Sequence, residues 1–262
     1  MRRGKLIAAA LLCFVLAAAG NLLLRDGKSG EREGFIALLR MSGALRIFAM
    51  DVLWLRMSAH LQEGREGLVL STARTLLTLD PESPRVRIFL HRHLAFTMAR
   101  KAAGETEREE WIREGLQIMD EALEKEPDCP QLHNGLGFSF FIRTEHPTQA
   151  FDKVCLERYG RKPVELAPMH LEKAHVGENR ERVTVFWIAS LMNAAYHAME
   201  SERYAEAARY WERVIDGLPV WQVRVGWEND HGMEEHYGEL RDYCIERGRL
   251  KKEKDSRPED VK

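Results

Sequence analysis

Two Glu-x-x-His pairs, Glu172/His175 and Glu228/His231, are the residues of this 262-residue chain that come nearest in type and spacing to a metal centre. Three residues apart on a helix, a carboxylate and an imidazole share one face. In helical bundles two such pairs hold a dimetal site when further glutamates face them. No facing glutamates can be picked out here, and the second pair falls before the last expected helix. No metal and no cofactor is therefore expected. His91 and His93 are two apart, which on a helix turns them about 200° from each other and keeps them from sharing an ion. Both are expected to be partly exposed. The four cysteines, at positions 13, 129, 155 and 244, form no CxxC pair, so zinc and covalent haem are not indicated. A Cys129–Cys155 disulfide stays open in an oxidising compartment. Cys155 is expected on a charged surface helix with no base beside it, which argues against a nucleophile. Asp51 stands among apolar neighbours, and burial there would require an ion pair with Arg46 or Arg56. The sequence contains no HExxH, no Walker loop, no GxSxG and no Rossmann glycine pattern. An enzyme is not expected. The formal charge of −2 gives no electrostatic reason for a nucleic-acid partner.

The elements that carry these residues are all helical. From Ile188 to Pro219, Leu191, Ala194, Ala195 and Ala198 recur at three- and four-residue steps, and Tyr204, Ala207, Ala208, Trp211, Val214 and Ile215 do the same. Each set lies on one helix face, and the two meet at Ser201-Glu202-Arg203, which predicts an antiparallel hairpin. Small residues let the backbones approach, with Trp211 and Tyr204 filling the space beside them. Pro219 is expected to end the second helix. Further helices are expected over Leu45–Gly64, Leu68–Leu79, Pro84–Ala103, a stretch opened by a Thr106-x-x-Glu109 capping box, Pro130–Arg143, Ala150–Arg158, Val164–Ala174 and Met233–Arg249.

This hairpin resembles a tetratricopeptide repeat. Counted back from Pro219 as the closing proline, the small positions of the repeat hold Ala195 and Ala207, and the bulky ones hold Tyr204 and Trp211. Leu191 and Ala194 depart from the usual Trp and Leu. With Pro81 closing a first unit, Gly64 takes the turn-glycine position. With Pro127 closing the next, Leu136-Gly137 match the leucine–glycine pair of a first helix. The spacing of these prolines gives units of about 46 residues rather than the usual ~34, so the array is divergent. The resemblance covers Leu45–Pro219. It implies an all-α, tetratricopeptide-like solenoid of about four helical hairpins over residues 45–225. A C-terminal capping helix over 226–250 would follow, with Trp221, Trp227, Tyr237, Leu240, Tyr243 and Ile245 covering the open end. Residues 251–262 are expected to be a polar, disordered tail.

At the start of the chain, Arg2, Arg3 and Lys5 precede an uncharged run from Leu6 to Leu24. As a helix that run is about 28 Å long, close to the ~30 Å hydrocarbon core. Residues 1–25 are thus expected to form one transmembrane signal anchor, with the basic start in the cytoplasm and the rest extracytoplasmic, periplasmic in a bacterium. Ala17-Ala18-Ala19-Gly20 also resembles a cleavage site, which would leave a secreted soluble protein. Residues 26–44 read as a charged, glycine-containing tether and a short helix.

In the family, first helices line a concave groove. The same alignments carry that face onto Asn134, Phe138 and Phe141 in the third unit, and onto Met192, Tyr196 and Met199 in the fourth. Aromatic and methionine side chains in a groove suit capture of a peptide or helix. The same spacing also fits side chains buried between neighbouring helices. The expected function is a membrane-anchored, single-pass scaffold or adaptor binding protein partners of the envelope. A secreted binding protein and, less favoured, an all-α enzyme with an unrecognised site are the alternatives.

Overall fold

The computed structural model describes residues 43–176, 180–225 and 231–256. These residues are helical and include no strand. The anchor and tether expected over residues 1–42, and the end of the tail over 257–262, lie outside the described residues. No described helix is long and apolar enough to cross a membrane. The described residues fall into two compact units that meet between Leu90 and His91.

In the first unit, α1 (Gly43–Gln62) packs against α2 (Glu66–Leu79). Gly64 turns the chain between them at φ +68°, a left-handed conformation that glycine adopts without a Cβ clash. Leu53 and Met57 of α1 and Val69, Ala73 and Leu76 of α2 are buried. Asp51 departs from expectation. It is exposed, because it projects from α1 away from Leu53 and Met57, so no burial demands a counter-ion. The turn after α2 is tied by Arg87, which donates to the Pro81 carbonyl from Nε at 3.0 Å and Nη2 at 2.7 Å.

Helix α3 (Pro84–Arg92) continues into a π-helical turn, His93–Met98, and one further α turn, α4 (Ala99–Lys101). Helix α5 (Glu105–Lys125) packs back against the π turn. At Gly115 an added Cβ would lie 3.0 Å from both the Ala95 Cβ and the His91 carbonyl oxygen. That close approach lets His91 Nδ1 donate to the Gly115 carbonyl at 3.0 Å. It also corrects the expected exposure of His91 and His93, both of which are buried. The Thr106 capping box is not formed. Gly104 is the cap residue and Thr106 lies inside the first turn. Glu107 reaches back instead to the Ala103 N–H at 2.9 Å, while Glu109 is engaged by Lys153 at 2.7 Å and Arg113 at 3.0 Å.

Helices α6 (Pro130–Glu145) and α8 (Pro163–Ala174) pack closely. A Cβ on Gly137 would sit 2.9 Å from the backbone nitrogen of Leu171 and 2.7 Å from its Cγ, so glycine at this position permits the contact. Between them in sequence, α7 (Gln149–Tyr159) packs on α5. Ion pairs Lys153–Glu109, Arg113–Glu157 and Arg158–Asp120 pin the two together. The charged residues of α7 thus point outward, while Ala150, Phe151, Val154 and Cys155 form its buried face. Cys155 is therefore interior rather than on the surface, and burial pushes its thiol pKa far up. Cys129, Cys155 and Cys244 are free, so no Cys129–Cys155 disulfide is present.

Helices α9 (Arg180–Glu200) and α10 (Tyr204–Val225) make the hairpin expected from the alanine pattern, with Leu191, Ala195, Ala198, Ala207, Trp211 and Val214 buried between them. Pro219 does not end α10; it lies inside the helix. Burial of Leu218 and the packing of Gly217 against Ile188 and Trp187 hold the helix on α9 at that point. This tertiary contact overrides the local preference of proline. Helix α11 (His231–Asp255) covers α10, with Tyr237 and Cys244 buried and Leu240 packed beside them. Ile245 remains exposed, and Tyr243, also exposed, meets the Tyr204 ring of α10 edge-to-face at 6.5 Å. The Trp221 and Trp227 side chains lie outside what is described. α11 also runs beyond the expected end at 250. Arg249 pairs with Glu246 at 2.7 Å and Glu253 at 3.5 Å, and Lys251 with Glu202 at 3.1 Å, which extend the helix through polar sequence.

Candidate functional site

The α6 end, the α7 start, the α8 start and the last turns of α9 enclose a cleft of about 390 Å³. Tyr196 of α9 forms one wall. It keeps 44% of its surface exposed although its ring meets Trp211 edge-to-face at 4.9 Å. Asn193, one turn before it, donates to Glu145 Oε1 of α6 at 2.7 Å and so fixes the two helices across the cleft. Asp152, in the first turn of α7, also lines the cleft. Burial raises its carboxyl pKa, and the nearby Lys162 and His197 oppose that rise. Arg143 also borders the cleft, but its guanidinium lies 4.2 Å from the Phe96 ring centroid and 5.2 Å from that of Phe151, and donates to the Ala95 carbonyl at 3.3 Å. A Gly160 turn in the left-handed conformation, followed by Pro163 at the first position of α8, brings Lys162 to the rim.

Only Tyr196 of the six groove residues lines this cleft. Phe138 and Phe141 are half-buried against Phe186 of α9, at 4.9 and 5.8 Å between ring centroids. Phe186 precedes Tyr196 by about 15 Å along the helix and lies about 80° round it. Asn134 is exposed two turns earlier on α6. Met192 and Met199 pack against the α9–α10–α11 core, where their sulfur atoms lie near Tyr237 Oη at 3.7 Å and Trp211 Nε1 at 3.4 Å. Of the six expected groove residues, Tyr196 thus lines the cleft, Asn134 is exposed, and Phe138, Phe141, Met192 and Met199 are partly covered by neighbouring helices. Asp152, Lys162 and Glu145 are not expected at a site, because they come together only through the packing of three separate helix ends.

Buried polar chemistry elsewhere is structural. His133 Nε2 donates to the Pro127 carbonyl at 2.7 Å, which leaves its Nδ1 to accept from His170 Nδ1 at 2.9 Å. The pair joins α6 to α8 and requires the accepting ring, His133, to be neutral. Glu172 is bound by Arg213 at 2.7 Å, and His175 is bonded to Thr184 at 2.9 Å and stacked on Trp187. The first Glu-x-x-His pair is thus engaged within the fold; the Glu228/His231 side chains lie outside what is described. Among the described residues no group of three His, Cys, Asp or Glu side chains could hold a metal ion. Comparison of the chain with known protein families, characterised proteins and solved structures returns no match.

Proposed function

We propose that the chain is a membrane-anchored scaffold, built from divergent tetratricopeptide-like hairpins, that captures a segment of a protein partner in the cleft beside Tyr196. The observation that carries this reading is the cleft itself. It is open, it has a half-exposed aromatic wall, and it is bordered by helices of two successive hairpins. Consistent with the repeat, Ala195 and Ala207 are fully buried where its small positions fall, and Gly137 admits Leu171 at a helix crossing. The anchor rests on the uncharged run after Arg2, Arg3 and Lys5.

Affinity isolation of the intact chain from detergent-solubilised membranes tests both halves. The chain is expected to stay with the membrane after carbonate washing, to expose its C-terminus outside the cytoplasm, and to bring down a protein partner in stoichiometric amount. Recovery of a soluble form beginning near Gly20 or Asn21 would remove the anchor and leave a secreted binding protein.

A further inference from the structure

Within that cleft the side chains select the kind of segment it fits. Its walls carry three carboxylates, Glu145, Asp152 and Glu200, and the exposed face of Tyr196. Of the two permanent cations on the lining, Arg143 is occupied by the Phe96 and Phe151 rings and the Ala95 carbonyl, and Lys162 sits exposed at the rim. Glu145 is held by Asn193 through one oxygen, which leaves the other to accept. The Asp152 side chain accepts no hydrogen bond among the described residues, although it is partly removed from water. A partly desolvated carboxylate gains most from a charge-assisted donor, and a half-exposed aromatic ring lining the same cleft favours a flat cation.

We infer that the cleft takes a cationic side chain of the partner segment, arginine in first preference, with its guanidinium between the Asp152 carboxylate and the Tyr196 ring. Arginine suits this arrangement better than lysine, because its planar fork can serve a carboxylate while its face lies on an aromatic ring. Lys162 and His197, which act on Asp152 from the same lining, add positive charge there, so a single basic residue is preferred over a polybasic run. This inference rests on the segment-capture reading above.

The test is selection of a displayed library of random heptapeptides on the immobilised full chain, alongside the Asp152→Asn, Asp152→Lys and Glu200→Gln variants. Melting midpoints of all four confirm that each is folded. Peptides captured by the wild type should be enriched in arginine at one position by about tenfold over the input, equivalent to about 1.4 kcal/mol. Asp152→Asn should lose that enrichment, Asp152→Lys should move it to aspartate or glutamate, and Glu200→Gln should reduce it. Captured peptides with no basic preference, or with a preference unchanged in Asp152→Asn, would overturn the inference and leave the capture reading standing. No capture by the folded wild type would remove the capture reading itself.

Discussion

Replacement of Trp211 by alanine is expected to destabilise the second unit by about 3–5 kcal/mol, the range for removing a large buried aromatic side chain. Trp211 is fully buried and is where three helices meet. From α10 its ring stacks on Tyr237 of α11 at 5.4 Å and 14°, meets Tyr196 of α9 edge-to-face, and points Nε1 at the Met199 sulfur. Without it, α11 loses its main aromatic contact and α9 and α10 surround a void. Denaturant titration should show a large fall in midpoint, partly restored in Trp211→Phe, which keeps a ring for Tyr237 to stack on. A change below about 1 kcal/mol would show that the three helices do not share this centre.

Mild acid should destabilise the same unit by on the order of 3 kcal/mol between about pH 7 and about pH 5, through His91 and His170. Burial, chiefly, lowers the His91 pKa to about 4, against a bond to Gly115 and with Arg92 adding repulsion. Burial also lowers His170 to about 3, assisted by His133 and Lys173. Both pKa values are depressed below the ordinary 6.5, so the unfolded chain takes up protons before the folded one does. Stability is full above the ordinary value and falls as pH drops below it. His170 retains some exposed surface, so His91 carries the larger part. His91→Asn, whose amide can still donate to the Gly115 carbonyl, should flatten the profile by about half. A midpoint constant across that range in the wild type would show that these rings are not held neutral.

Much of the architecture is legible because apolar spacing is a direct image of helix packing. The alanines of α9 and α10 announce a close pair, and Gly137 announces a crossing, since each removes the side chain that would keep two backbones apart. The errors arise where a distant contact decides a local question. Pro219 stays inside α10 because Leu218 and Gly217 are held against α9. The Thr106 capping box is instead lost locally, because α5 already begins at Glu105, so Glu107 rather than Glu109 reaches back to the chain before the helix. Cys155 is buried because the charges around it lie on the other faces of α7 and bind α5.

The candidate site was less legible for a related reason. Tyr196 is expected on a groove face, whereas Asp152 and Lys162 reach the same cleft through the packing of α7 and the α7–α8 turn, which helical spacing alone does not reveal. Phe138 and Phe141 have the hydrophobic spacing of a groove and are half-covered by Phe186, one residue of a neighbouring helix that the same spacing cannot reveal.

The central claim, capture of a partner in the cleft, is tested most directly by the affinity of Tyr196→Ala for the partner isolated with the intact protein. A side chain that forms the wall of a binding cleft should contribute about 2 kcal/mol or more, so the dissociation constant should rise about thirtyfold. Its edge-to-face contact with Trp211 accounts for only about 1 kcal/mol of stability, so the protein should remain folded with a slightly lower melting midpoint. An unchanged dissociation constant in the folded variant would place the partner elsewhere and contradict the account.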